Sequence, residues 1–268
     1  MFQKNQVFPG ICHITDAMGV SFTLVEGKER AVLFDTGYGT ENVDGFISTL
    51  TGKPVKVYLS HGHHDHILGA RWFGTTFLCA QDMDEFRLRT GTAQREAVAK
   101  QAREQGVELP DGFTDACIKL PEEIRFTGTV HGFECLDEDL GGRRIKILRV
   151  PGHTPGSIVI YVPEYGLLLT GDNWNPCTWM WFPTSEKAGR WRRNMLDLIA
   201  GLEEEKQITA VLCSHQPMMR TGEELKGFLE YMTDERISEA PYVDMGSPIN
   251  THRIVRNEWT LIFDADKA

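Results

Sequence analysis

The chain has little with which to enter a membrane. None of its 268 residues lie in a continuous apolar run of spanning length, which takes about 20 residues. Its opening stretch, MFQKNQVFPGICHITD, holds no basic segment followed by an apolar one, so no secretory leader is expected there. A C-x-x-C pair is absent: Cys12, Cys79, Cys117, Cys135, Cys177 and Cys213 stand far apart. That excludes a zinc knuckle or a thioredoxin-like motif. Cys79 and Cys213 lie in apolar stretches and read as small hydrophobes. Reduced thiols in a cytoplasmic protein are the expectation. Positive charge is scarce as well. Lys and Arg number 28 against 38 Asp and Glu, a net charge of -10. This weighs against nucleic acid and anionic membrane surfaces as partners. A small anionic substrate stays open, because bound dications make a locally positive site on an acidic protein. No repeat, low-complexity tract or linker interrupts the chain, and one domain over 1–268 is expected.

What the chain does have is crowded histidine. Of 9 histidines, four stand between His61 and His66 in the stretch YLSHGHHDHILGA, interleaved with Asp65. They follow VKVYLS, which reads as a buried strand, so the cluster sits at that strand's C-terminal end. In a turn after a strand, residues i and i+2 can face one centre, as His61 and His63 would. Asp65 and His66 can turn toward a second centre. His64 is left over, facing solvent or supporting its neighbours. Imidazole and carboxylate in this pattern are ligands for zinc and other first-row metals. The plainer reading is a polar turn with an incidental histidine run.

The elements around it follow from period and punctuation. ICHIT, VSFTLVEG and AVLFDTG read as strands, and a helix is predicted from about 40 to 50. TTFLCA is the next strand. Residues 81–106 turn polar and rich in helix formers, with Gly106 as a stop, and open a helical excursion reaching to about 125. Strands return in RRIKILRV, SIVIYV and LLLTGD. A helix over roughly 185–204 carries Trp191, Met195, Leu198, Ile199 and Leu202 on one face, with Thr184 or Ser185 as its cap. ITAVLCSH is a strand, GEELKGFLEYMTDERI a helix, and RIVRNEWTLIF a closing hairpin. Strands in two batches, each followed by helices, predict two sheets with helices outside rather than a doubly wound parallel sheet.

Further ligands end apolar strands. VPGHTPGS places His153 in a tight turn between Pro and Gly breakers. LLLTGD ends in Asp172 and AVLCSH in His215. Each alone is more often a structural residue. Together with the first cluster they supply five His and two Asp, which suits two dications. Asp65, Asp172 and one hydroxide would cancel three of the four positive charges, leaving charge to bind a carbonyl oxygen or oxyanion.

SHGHHDH, PGHTPGS, TGD and SH stand in the order and spacing of the metallo-β-lactamase-fold hydrolases, and LFDTG matches that family's early strand-end Asp at Asp35. The resemblance runs from Val20 to His215. It implies an α+β fold, a four-layer αββα sandwich with metals at one edge of the two sheets. By match, one metal takes His61, His63 and His153, the other takes Asp65, His66 and His215, and Asp172 bridges. Asp35 would orient a ligand from behind, where the plainer reading is a turn Asp. The resemblance implies two divalent ions, zinc foremost, with iron or manganese as the other candidates.

Asp172 stands where the true β-lactamases carry a thiol ligand, so the chain resembles the glyoxalase II-like and lactonase side. The lactonases carry a Tyr near the place of Trp174, and no clear equivalent of the glyoxalase II helical domain follows His215. The expected function is a metal-dependent hydrolase. A metal-bridging hydroxide would attack a small ester, thioester, lactone or amide-like substrate, with Asp65 and Asp172 as catalytic carboxylates. One alternative is a persulfide dioxygenase with one iron on residues matching His61, His153 and Asp172. Another is a metal-binding protein without turnover. The most individual stretch is NWNPCTWMWFP. Trp174, Trp179, Met180, Trp181 and Phe182 are read as a hydrophobic wall for an apolar substrate. The competing readings are core filler, or a subunit interface in a homo-oligomer. Arg190, Arg192 and Arg193 read as a solvated helix face, and His13, His131 and His252 as structural.

Overall fold

Each batch of strand-forming runs builds a sheet. The computed structural model describes residues 1–267, and the chain divides into two compact units. The first comprises Met1–Arg125 with Glu138–Ile145, and the second comprises Phe126–Asp137 with the chain from Lys146 onward.

In the first unit the strands are β1 (Gln3–Phe8), β2 (Ile11–Thr15), β3 (Ser21–Glu26), β4 (Ala31–Phe34), β5 (Val55–Tyr58), β6 (Phe77–Leu78) and β7 (Glu122–Glu123), lying side by side in that order. The helices are α1 (Val43–Leu50), α2 (His64–Ile67), α3 (Met83–Arg89) and α4 (Thr92–Glu104). β1 to β4 run antiparallel, and β5 then pairs parallel to β4. A parallel pair needs a crossover, and α1 supplies it. Asn42 caps α1, accepting from the Gly45 amide at 2.9 Å. Leu24, Leu33, Val57, Leu59, Ile47 and Phe86 meet in this unit's core.

The second unit repeats the plan. β8 (Gly128–Val130), β9 (Phe133–Asp139), β10 (Arg144–Arg149), β11 (Ile158–Val162), β12 (Leu167–Leu169), β14 (Ala210–Leu212) and β15 (Arg220–Thr221) form the second sheet, in the order β15-β14-β12-β11-β10-β9-β8. β10, β11 and β12 are antiparallel; β14 is parallel to β12, joined through α5 (Ala188–Glu203). All five residues of β11, IVIYV, are buried, as an unbroken apolar run requires. A small third sheet joins β13 (Cys177–Met180) in parallel to β17 (Trp259–Asp264), which pairs antiparallel with β16 (Thr251–Arg256). α6 (Gly222–Tyr231) and α7 (Asp234–Ser238) complete the unit. The predicted stripe on α5 is fully realised: Trp191, Met195, Leu198, Ile199 and Leu202 are buried against Leu148, Val159, Leu168 and Val211. Each such side chain contributes about 1.5–3 kcal/mol on burial.

Several boundaries differ from expectation for local reasons. The excursion from residue 81 is two helices interrupted at Thr90 and Gly91, and beyond Glu104 no helix continues it. Neither Thr184 nor Ser185 caps α5; Lys187 does, with no side-chain bond. The predicted helix over GEELKGFLEYMTDERI divides at Met232, and Thr233 caps α7 by accepting from the Arg236 amide. The closing hairpin forms, turning through Asn257 at φ 55°, a left-handed conformation that Asn tolerates. β1 escapes a pattern search because its first four residues are all exposed. Among the described residues no helix is long and apolar enough to cross a membrane.

Candidate metal centre

In both units the ligand candidates lie in the segments that follow strands. In the first, the buried end of β5 leads through Leu59 and Ser60 into the histidine loop. The loop closes on itself through α2, with the His66 amide donating to the His63 carbonyl at 3.0 Å. His61, His63 and His66 are buried. Their rings gather closely, with centroids 4.7 Å apart for His61 and His63 and 4.2 Å for His61 and His66. Asp65 Oδ2 lies 3.4 Å from His66 Nε2. His64 takes another course, half-buried and edge-on to Tyr38 at 5.6 Å. Burial holds its imidazole pKa below the usual value.

Asp35, at the end of β4, is fully buried at φ 70°, a conformation uncommon for a residue with a Cβ and costly unless its surroundings impose it. They do so here. One carboxylate oxygen accepts from the Ser60 amide at 2.6 Å, and the other pairs with His66 Nδ1 at 2.9 Å. The Thr36 hydroxyl and amide both donate to the His66 carbonyl. Asp16, buried itself, accepts from the Tyr38 amide at 2.9 Å and steadies the turn after Asp35.

In the second unit, His153 lies between β10 and β11, Asp172 follows β12, and His215 follows β14. Asn173 clamps the His153 turn: its Oδ1 accepts from the His153 amide at 2.9 Å and its Nδ2 donates to the Val150 carbonyl at 2.8 Å. Gly152 is required there, since a Cβ would stand 2.4 Å from Asn173 Oδ1 and 2.6 Å from Trp191 Cδ1. Asn175 Oδ1 accepts from the His215 amide at 3.2 Å. Ser185, expected as a helix cap, instead donates to the His153 carbonyl at 2.8 Å. Asp172 Oδ2 lies 3.7 Å from His153 Nε2 and 3.3 Å from His215 Nε2.

Three imidazoles are held from behind at Nδ1. His61 faces Ser60 Oγ at 2.8 Å, His66 faces Asp35, and His153 faces the Trp179 carbonyl at 2.6 Å. A carbonyl only accepts, so His153 Nδ1 carries the hydrogen and Nε2 keeps its lone pair. A carboxylate sets His66 the same way. This is the arrangement of metal-ligating histidines. The donor set therefore suits a divalent ion in kind and in tautomer. The side chains able to hold one are His61, His63, Asp65 and His66 in the first unit and His153, Asp172 and His215 in the second.

The proposed aromatic wall divides. Cys177–Met180 is a strand whose burial alternates, and a period of two sends neighbours to opposite faces. Met180 therefore points into the core, and Trp174 is wholly buried, stacked on Trp259 at 4.0 Å. Neither has surface to offer a substrate. Trp179, 38% exposed, and the half-buried Trp181 and Phe182 form a separate cluster. Trp181 stacks on Phe182 at 4.9 Å, and Phe182 meets the His153 ring edge-on at 5.3 Å. Each of the remaining histidines has a partner: His13 bonds Thr23, His131 bonds Glu204 and His252 bonds the Ala240 carbonyl. Arg190 and Arg193 are largely exposed, whereas Arg192 donates to the Leu229 carbonyl at 2.7 Å. Ser60, Asn173 and Asn175 are not singled out by sequence reasoning, and Ser185 is only as a helix cap. Ser60 and the two asparagines carry a signal in standing one to three residues from a ligand; Ser185 carries none.

Sheet-end clusters of imidazole and carboxylate, oriented from behind, define a metal-binding protein of mixed α and β structure. Residues 15–203 match the family described as the metallo-β-lactamase superfamily, and the chain belongs to that superfamily. The beta-lactamase-like protein 2 homolog of Drosophila melanogaster is 26% identical over 162 residues, 58% of this chain and 46% of that protein. The hydroxyacylglutathione hydrolase GloC of Haemophilus influenzae is 27% identical over 152 residues, 55% of this chain and 62% of that protein. The matches thus span less than two thirds of either relative. A metallo-β-lactamase from Pontibacter korlensis shares the fold with a TM-score of 0.57 at 18% identity, covering 86% of this chain and 98% of its own.

Proposed function

We propose that the chain is a hydrolase with two divalent metal ions, zinc foremost, acting on a small ester, thioester, lactone or amide-like substrate. His61, His63 and His153 would hold one ion, Asp65, His66 and His215 the other, and Asp172 would be shared. The observation that carries this reading is the place of Asp172, one of whose oxygens faces His153 and His215 alike. A carboxylate between two imidazoles assigned to different ions is what a bridging ligand requires. When bound, such ions bring the pKa of water from 15.7 to near 7 and polarise a carbonyl oxygen. The chain's own contribution is orientation. Asp35, Ser60 and the Trp179 carbonyl fix three rings, while Asn173 and Asn175 fix the backbones of His153 and His215. Asp65, half-buried beside His66, would accept a proton. Trp179, Trp181 and Phe182 would face an apolar part of the substrate next to His153. The similarity to a protein named hydroxyacylglutathione hydrolase supports the thioester among the candidates.

The test joins metal content with turnover on ester, thioester and lactone substrates. Wild-type protein should carry two ions per chain, lose activity to a chelator and regain it with divalent metal. Asp172→Ala should lower metal content and nearly abolish turnover. His64→Ala, in the same loop but turned toward Tyr38, should keep both ions. Full activity of Asp172→Ala with two ions bound would reject the bridging assignment, and turnover after verified metal removal would reject the mechanism.

A further inference from the structure

Three imidazoles of the ligand set have an oriented group behind Nδ1; His63 is built differently. Its Nε2 lies 3.5 Å from Glu85 Oε1, with both side chains largely buried. Glu85 belongs to α3, in the polar segment that reads as a surface excursion. Its contact with the histidine loop is nonetheless close and constructed. Asp82, buried just before α3, accepts from the Gly62 amide at 3.0 Å. A Cβ on Gly62 would stand 2.9 Å from Glu85 Cβ and 3.0 Å from the Asp82 carbonyl oxygen. The glycine inside HGHHDH thus makes room for the start of α3, and the helix then presents Glu85 to His63. Arg89, one turn on, holds the same Glu85 oxygen through Nε at 2.6 Å.

We propose that Glu85 is a positioning residue for His63. Its carboxylate, 3.5 Å from Nε2, favours the hydrogen on that nitrogen and leaves Nδ1 as the nitrogen offered to a metal. The assignment rests on reading His63 as a ligand. It adds a source of orientation outside the ligand motifs, from a helix 22 residues further along the chain than the imidazole it serves. Arg89 keeps the carboxylate aimed. A carboxylate behind an imidazole orients the ring and raises the ligand's basicity. Glu85 needs no contact with substrate for this role.

The experiment compares wild type, Glu85→Gln, Glu85→Ala and, as a control on the same helix, Asp84→Ala, whose side chain is 96% exposed. Proteins with ¹⁵N-labelled histidine are examined by NMR without metal, at a pH where the imidazoles are neutral. They are then titrated with zinc against a competing chelator. Wild type should show His63 with the hydrogen on Nε2. Glu85→Ala should lose that preference and bind one of the two ions about 10–100-fold more weakly, the other within about threefold of wild type. Glu85→Gln retains an acceptor and nearly the same volume, so it should keep the tautomer and fall between the two in affinity. Asp84→Ala should match wild type. An unchanged tautomer and unchanged zinc affinities in Glu85→Ala would overturn the proposal. So would equal weakening of both ions in Glu85→Gln and Glu85→Ala. Should wild type take up no zinc, the metal reading fails, and the tautomer comparison still decides whether Glu85 orients His63.

Discussion

Asp35 shows how one residue serves both fold and site. It is buried in a left-handed conformation and bonded to the Ser60 amide and the His66 ring. Asp35→Asn keeps the size and tolerates the backbone, because Asn enters the left-handed region more readily than most residues. It removes the charge from behind His66. The expected result is metal affinity about 10–100-fold weaker with little change in melting temperature. Asp35→Ala should also lower the melting temperature, since it leaves the Ser60 amide without its acceptor inside the protein. Equal metal affinity in wild type and Asp35→Asn, measured by chelator competition, would show that the carboxylate does no more than hold the turn.

At the scale of the element, β13 decides what the tryptophan-rich stretch does. Its alternation buries Thr178 and Met180 and turns Cys177 and Trp179 outward, while Trp174 stacks in the core before the strand begins. The two kinds of tryptophan should respond differently to truncation. Trp174→Ala leaves a cavity against Trp259 and should destabilise the fold by about 3–5 kcal/mol, read as a large drop in melting temperature. Trp179→Ala or Trp181→Ala should raise KM for long-chain acyl esters roughly tenfold, with kcat and metal content kept, because a contact made equally in ground and transition state alters binding alone. Equal losses for short- and long-chain substrates would remove Trp179 and Trp181 from the substrate wall. The strand was not legible as one, since NWNPCTWMWFP carries Pro, Asn and aromatic residues together and its partner β17 lies some 80 residues onward.

Across the whole chain the six cysteines report the packing of both units. Cys79, Cys135 and Cys213 are buried, Cys12 is half-buried, and Cys117 and Cys177 are exposed. Burial pushes the Cys135 thiol up to about 11 and raises Cys12, Cys177 and Cys213 as well. Reactivity follows the thiolate, so a thiol reagent at pH 8 should modify Cys117 first and Cys177 and Cys12 more slowly. The three buried cysteines should react only in denaturant. Six rapid equivalents from the native protein would contradict the packing described for either unit.

The candidate ligands were legible because they are local: His61, His63, Asp65 and His66 share one loop, and His153, Asp172 and His215 each follow an apolar run that periodicity marks as a strand. The α5 stripe was legible for the same reason, since 3.6-residue spacing is written in neighbouring residues. The residue behind a candidate ligand was legible only where it is local, as Ser60 beside His61, or marked by the family resemblance, as Asp35; which ring Asp35 serves and what stands behind His153 were decided by the tertiary structure. His66 meets Asp35 across 31 positions and His153 meets the Trp179 carbonyl across 26, and Ser185 serves His153 in place of capping α5. Such partners are chosen by where strands and helices pack, and a hydrogen bond between distant residues leaves no spacing to read. The same holds for the divided aromatic run, because which face of β13 is buried depends on its pairing with β17 and not on the identity of its residues.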